Sequence, residues 1–104
     1  MPFRRVDTAR DADADLQQIL DYTRERWGDA QRVRYSSELN RALRQLREFP
    51  FAGRDRSDLG PGIRSYPVAA HIVFYLVRDD HILIVRILHG SEDIASAFAE
   101  PEDE

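Results

Sequence analysis

Between residues 64 and 89 the chain carries Arg64, Tyr66, His71, Tyr75, Arg86 and His89. Imidazole and phenol groups move protons, and guanidinium groups hold anions in two-pronged contacts. Brought together, such side chains could cleave RNA, with a base near the 2′-hydroxyl, an acid near the leaving oxygen and cations on the phosphate. On an exposed strand face they could instead anchor a protein partner, which needs no reacting group. Each also has a plainer role. Arg64 and Arg86 could form surface ion pairs with Asp55, Asp58 or Glu92, which contribute little. His71 and Tyr75 could be β-formers with solvated tips, and His89 could bond a loop carbonyl before Gly90. No second His or carboxylate stands at ligand spacing from His89, so no metal site is expected. The acidic Ser91-Glu92-Asp93 segment would repel a phosphate, and no catalytic residue is assigned.

The elements that position these residues are two β-branched and aromatic runs, His71–Val77 and Ile82–Leu88, joined by Arg78-Asp-Asp-His81. That composition predicts a hairpin with Asp79-Asp80 as its two-residue loop. Leu76 then pairs with Leu83, Phe74 with Val85 and Ile72 with Ile87, which makes one face wholly apolar. A one-residue slip would drive Arg86 into that face. A second turn at Val68-Ala69 pairs Tyr66 with His71 and Arg64 with Val73. In this register Ile63, Ile72, Phe74, Leu76, Leu83, Val85 and Ile87 face the helix hairpin, while Arg64, Tyr66, His71, Tyr75 and Arg86 face away from it.

Upstream, Phe3–Val6 reads as a short first strand. Ala12, Leu16, Ile19, Leu20, Thr23 and Trp27 keep the 3 and 4 spacing of an amphipathic helix over residues 9–27, which Gly28 ends. A second helix, from Asp29 as N-cap to Phe49, carries Tyr35, Leu39, Ala42, Leu46 and Phe49 on one stripe and stops at Pro50. The break between them is so short that they must form an antiparallel hairpin. Trp27 reads as a core residue or hairpin cap, or alternatively as a partner anchor. Arg32, Arg34, Arg41, Arg44 and Arg47 read as a solvated face, or alternatively as a surface for an anion-rich partner. Residues 51–62 read as a loop; their glycines lack the pattern of a phosphate loop. Residues 91–98 read as one or two helical turns capped by Ser91. The fold class is α+β: a short N-terminal strand and an α-helical hairpin packed on an antiparallel β-meander.

Length and composition narrow the field. At 104 residues, 42% hydrophobic and 33% charged, the chain reads as a single globular domain over residues 1–98 with an acidic, disordered tail over 99–104. The net charge of −4 is offset once Glu100, Glu102, Asp103 and Glu104 are set aside, so no basic nucleic-acid footprint is expected. All 15 basic residues are Arg. Cys is absent, which excludes disulfides and thiolate metal sites. No apolar run long enough for a membrane span and no signal-peptide pattern is found, so a cytoplasmic location is the expectation.

The order of these features resembles the RelE/ParE toxin superfamily, most closely its ParE branch. The resemblance spans roughly residues 3–93 and is carried by Asp15-Leu16, Tyr22, Trp27-Gly28, Tyr35, Leu39, Pro50, Gly53-Arg54, Asp58-Leu59, Gly62-Ile-Arg64, His71-Ile-Val-Phe-Tyr75 and Arg86-Ile-Leu-His89. It implies the toxin of a type II toxin–antitoxin pair, without a cofactor, in a hetero-oligomer with a ParD-like antitoxin that has a DNA-binding N-terminal domain. The ParE branch poisons DNA gyrase; the RelE branch cuts mRNA on the ribosome. A non-toxic relic that only binds its antitoxin is a third expectation. On the gyrase reading, Arg64, Tyr66, His71, Tyr75, Arg86 and His89 form the target-bearing face. Tyr22, Trp27, Arg34 and Arg41 are the candidates for antitoxin contact.

Overall fold

Gly28 turns the chain over. Its φ of 95° lies in the left-handed region that side-chain-bearing residues avoid, and its N–H closes on the Arg24 carbonyl at 2.8 Å. Helix α1 (Arg10–Trp27) ends there and α2 (Asp29–Glu48) begins on the next residue, with Gly28 rather than Asp29 in the N-cap position. The computed structural model describes residues 5–99. Phe3 and Arg4 of the expected first strand, and residues 100–104 of the expected tail, lie outside the described residues. The first strand, β1, covers Arg5–Thr8.

The remaining strands are β2 (Arg54–Asp55), β3 (Arg64–Val68), β4 (His71–Val77) and β5 (His81–His89), followed by the short helix α3 (Ile94–Phe98). They form one sheet in the order β1-β5-β4-β3-β2, with β1 parallel to β5 and the other pairs antiparallel. Strand β2 breaks the expected loop over 51–62. The cap of α3 is Asp93, whose side chain accepts the Ser96 N–H; Ser91 does not fill that role.

The hairpin register needs correction. Leu76 faces Leu83 as expected, but a bulge at Val85 then sets Phe74 opposite Arg86 and Val73 opposite Ile87. Phe74 and Arg86 are thus cross-strand partners, which overturns the register read from the sequence. The other turn is Ala69-Ala70, with Tyr66 opposite Val73 and Arg64 opposite Tyr75. That displacement is by two residues, so it keeps every side chain on its face. Ala69 holds φ 55° without the Gly or Asn that usually marks such a turn.

The faces are also exchanged, except that Ile87, beyond the bulge, lies on the helix side as expected. Tyr66, Val68, Val73, Tyr75, Val77, Ile82, Ile84 and Ile87 pack with Tyr35, Leu39, Ala42 and Leu46 of the helix hairpin. Ile63, Ile72, Phe74, Leu76, Val85 and Leu88 lie on the opposite side, covered by Leu59 and by Ile94, Ala97 and Phe98. The Phe98 ring meets Phe74 edge-on at 5.1 Å. Both faces of the meander are apolar enough to be buried. Parallel pairing of β1 with β5 requires a crossover, and its hand is set by chain chirality, not by which face is more apolar.

Candidate functional site

The six polar strand residues are distributed over separate places. The Tyr75 ring is fully buried, and its hydroxyl accepts the Gly53 N–H at 2.9 Å and donates to the Pro50 carbonyl at 2.7 Å. Burial pushes its phenol up from the ordinary value. Arg64 reinforces the same turn through Nε to the Gly53 carbonyl (3.2 Å) and Nη2 to the Phe51 carbonyl (3.4 Å). Tyr66 is half-buried against the helix hairpin. Tyr66 and Tyr75 therefore do not face away from the helix hairpin as expected, and neither does His71, whose ring meets Tyr35 of α2.

Arg86 is held at the sheet edge. The Asp15 carboxylate accepts from its Nε at 2.7 Å and its Nη2 at 3.0 Å, and also takes the Ile87 N–H at 2.9 Å. Strand β1 stops pairing at Thr8 opposite Ile84. Asp15 thus supplies the acceptor that the missing strand would have given to Ile87. The expected partners Asp55, Asp58 and Glu92 do not form this pair; Asp58 instead pairs with Arg56 at 3.0 Å.

His71 and His89 stand opposite each other in the β4–β5 ladder. The His71 ring lies edge-on between Tyr35 (5.4 Å) and His89 (5.3 Å). Burial first, and then the neighbouring His89, lower the pKa of His71, while Glu92 opposes the shift. Burial, helped by Glu38, pushes the Tyr35 phenol up to about 12. His89 is exposed; its Nδ1 accepts the Ser91 N–H at 3.1 Å, and the Glu92 carboxylate accepts its backbone N–H at 2.8 Å.

These two histidines meet residues that the sequence placed in a different set. Gln18, Ile19, Tyr22, Thr23, Trp27, Ala70, His71 and His89 line a groove of about 320 Å³. Tyr22 and Trp27 stand 60% and 66% exposed on its rim. Trp27 is therefore not a core residue. Arg34 joins Trp27, Tyr35 and His71 along an adjoining groove. Arg41 lines a further groove with Glu38, Tyr66, Pro67 and Val68, at the margin between α2 and β3. Among the described residues no cluster of three His, Cys, Asp or Glu side chains is placed to hold a metal ion. No helix among them is long and apolar enough to cross a membrane.

Sequence reasoning missed two features. Phe49, assigned to the buried stripe of α2, and Phe51 are 53% and 64% exposed. The Pro between them was the available signal, since it ends the helix stripe before Phe51 can join it. Asp15 had no local signal for its role, because its partner is 71 positions away.

The lowered pKa of His71 makes a pH prediction. A folded state that disfavours the protonated ring is most stable above the ordinary value of 6.5 and loses that stability as pH falls through the depressed folded value. The melting temperature is expected to drop between pH 7.5 and 5, and to drop less in His71→Phe. Equal pH slopes for the two proteins would exclude His71 as the cause.

A helix hairpin laid on one face of a five-stranded sheet, with a short helix closing the other, defines a RelE/ParE-type α+β fold. The family described as the ParE toxin of the type II toxin–antitoxin system parDE matches residues 6–94. Toxin ParE of Escherichia coli is 39% identical over 93 residues, spanning 86% of this chain and 88% of that protein. Toxin ParE1 of Caulobacter vibrioides is 36% identical over 90 residues, spanning 86% and 90%. A solved structure described as the chromosomal ParDE system from P. aeruginosa aligns with a TM-score of 0.69 at 21% identity, covering 84% of this chain and 96% of that one. The chain belongs to the ParE toxin family of type II toxin–antitoxin systems.

Proposed function

We propose that the protein stops growth by binding DNA gyrase, as a protein inhibitor and not as an enzyme, and that a ParD-like antitoxin neutralises it in a cytoplasmic hetero-oligomer. Membership of the ParE family supports this reading. The observation that carries the choice against RNA cleavage is the dispersal of the acid–base candidates. Tyr75 and Arg64 hold a turn, Arg86 is paired with Asp15, and His71 packs edge-on between Tyr35 and His89. General acid–base cleavage requires an acid, a base and phosphate-binding cations within reach of one bond. Binding energy, by contrast, comes from a few exposed anchors. The antitoxin's C-terminal segment docks in the groove of Tyr22, Trp27, His71 and His89 and follows α2 past Arg34 towards Arg41. The apolar rim and the flanking guanidiniums suit an amphipathic segment with acidic residues. Of the remaining face residues, Arg64 and Tyr75 act on the target indirectly, through the turn they hold.

The test incubates purified toxin, freed of antitoxin, with gyrase and supercoiled DNA, and separately with translating ribosomes and mRNA. Loss of gyrase activity with intact mRNA is expected. Codon-specific mRNA cuts that vanish in Arg64→Ala, with gyrase untouched, would make the protein a ribonuclease. No effect in either reaction, with tight antitoxin binding, would mark a non-toxic antitoxin-binding relic.

A further inference from the structure

The turn after α2 is held more firmly than a connection requires. The Tyr75 hydroxyl, reaching out from a buried strand position, bonds the Pro50 carbonyl and the Gly53 N–H. Arg64 bonds the carbonyls of Phe51 and Gly53, and its guanidinium lies 5.2 Å from the Phe51 ring. Gly53 makes room for this: a β-carbon there would meet the Tyr75 hydroxyl and the Ser65 carbonyl. Four main-chain groups of the turn are thereby fixed, and what the turn displays is Phe49 and Phe51, both more than half exposed. A turn immobilised in this way has already lost the backbone freedom that binding through its aromatic rings would otherwise remove. The adjoining surface is basic. Arg41, Arg44 and Arg47 line a shallow groove on the last turns of α2, with Glu48 as the single acid in it.

We propose that the Phe49–Phe51 turn is the anchor that seats in the toxin's target, inserting its aromatic rings into an apolar cleft rimmed by carboxylates. This rests on the reading of the protein as an inhibitor that acts by binding. The length of α2 sets Trp27 and Phe49 about 30 Å apart, at 1.5 Å per residue. The aromatic anchor and the Tyr22–Trp27 groove are therefore at opposite ends of the hairpin, with Arg41 between them, and the anchor rings can be altered without touching that groove. The acidic rim follows from charge complementarity with the arginines of α2 and with Arg64, and it makes docking weaken as salt rises. Tyr75, Arg64 and Gly53 are positioning residues, acting through the turn.

The experiment uses the full chain, purified with its antitoxin and then freed from it, as wild type, Phe51→Ala and the double variant Phe49→Ala/Phe51→Ala. Both side chains are exposed, so the fold and the melting temperature should persist. The toxin concentration that half-inhibits gyrase supercoiling is expected to rise about tenfold for Phe51→Ala and about a hundredfold for the double variant. Affinity for the antitoxin should stay within about twofold, because distant surface sites act independently. Phe51→Trp, which keeps an aromatic anchor, should restore inhibition. Unchanged inhibition by the double variant would overturn the proposal. So would a parallel loss of antitoxin binding, or a wild-type dimer that the double variant dissolves with inhibition intact. Should the wild type leave gyrase untouched, the gyrase reading fails, and growth arrest becomes the readout. Arrest that survives the double substitution overturns the anchor, and arrest lost with antitoxin binding retained upholds it.

Discussion

Replacing Asp15 with alanine should lower the unfolding free energy by about 3 kcal/mol, and the melting temperature by on the order of 15 °C for a domain of this size. One carboxylate serves three donors: two nitrogens of Arg86 and the Ile87 N–H. Its loss leaves a guanidinium only 25% exposed without its counter-charge and an edge-strand amide without an acceptor. The magnitude is set at the low end of a broken buried pair because part of Arg86 remains in water. Asp15→Asn keeps one acceptor but no charge, so it should fall between alanine and wild type. Asp7→Ala is the control, since Arg5 and Asp7 are 59% and 41% exposed and a solvated pair of this kind should contribute little. Thermal and urea melts followed by circular dichroism decide the matter. If Asp15→Ala and Asp7→Ala melted alike, the Asp15–Arg86 pair would have no special role in docking α1 to β5.

Truncating Tyr22 and Trp27 together should weaken antitoxin binding by a factor on the order of 100 to 1,000. Tyrosine and tryptophan are the residue types that dominate interface energetics, and here they flank one groove with their rings largely in water. Ile19, His71 and His89 line the groove with them, so an apolar helix face would find a hydrophobic surface beside two imidazole rings. Because both side chains lie on the exposed side of α1, alanine should cost the fold little and slightly favour the helix. Calorimetric titration of the double variant with antitoxin measures the effect. Affinity within about threefold of wild type would place the antitoxin elsewhere. Removing residues 100–104 provides the complementary measurement, and it should leave antitoxin binding unchanged.

Much of the architecture could be read from the chain because its signals are local. The stripe of α2 from Tyr35 to Leu46, the stop at Gly28 and the Asp79-Asp80 loop each depend on a few neighbouring residues, and each is where it was expected. The Tyr66, Tyr75 and Arg86 positions were misassigned for a different reason. Alternation along a strand says which residues share a face, but with Val73, Tyr75, Ile84 and Ile87 on one side and Ile72, Phe74, Val85 and Leu88 on the other, both faces of this sheet could be buried. The candidate groove was half visible: Tyr22 and Trp27 stood out by type and His71 and His89 by chemistry. Nothing in their spacing showed that the two pairs meet.

Apart from the two-residue strand β2, the sequence by itself determined the kinds of element, their order and the family, because helical and strand periodicities and turn residues act over a handful of positions. Tertiary structure decided which face the helices cover, through the parallel crossover from β1 to β5. It also decided where β5 bulges, so that Arg86 comes to lie opposite Phe74 while its guanidinium meets Asp15. Those outcomes depend on groups far apart in the chain, whose interaction exists only once the chain has closed around its core.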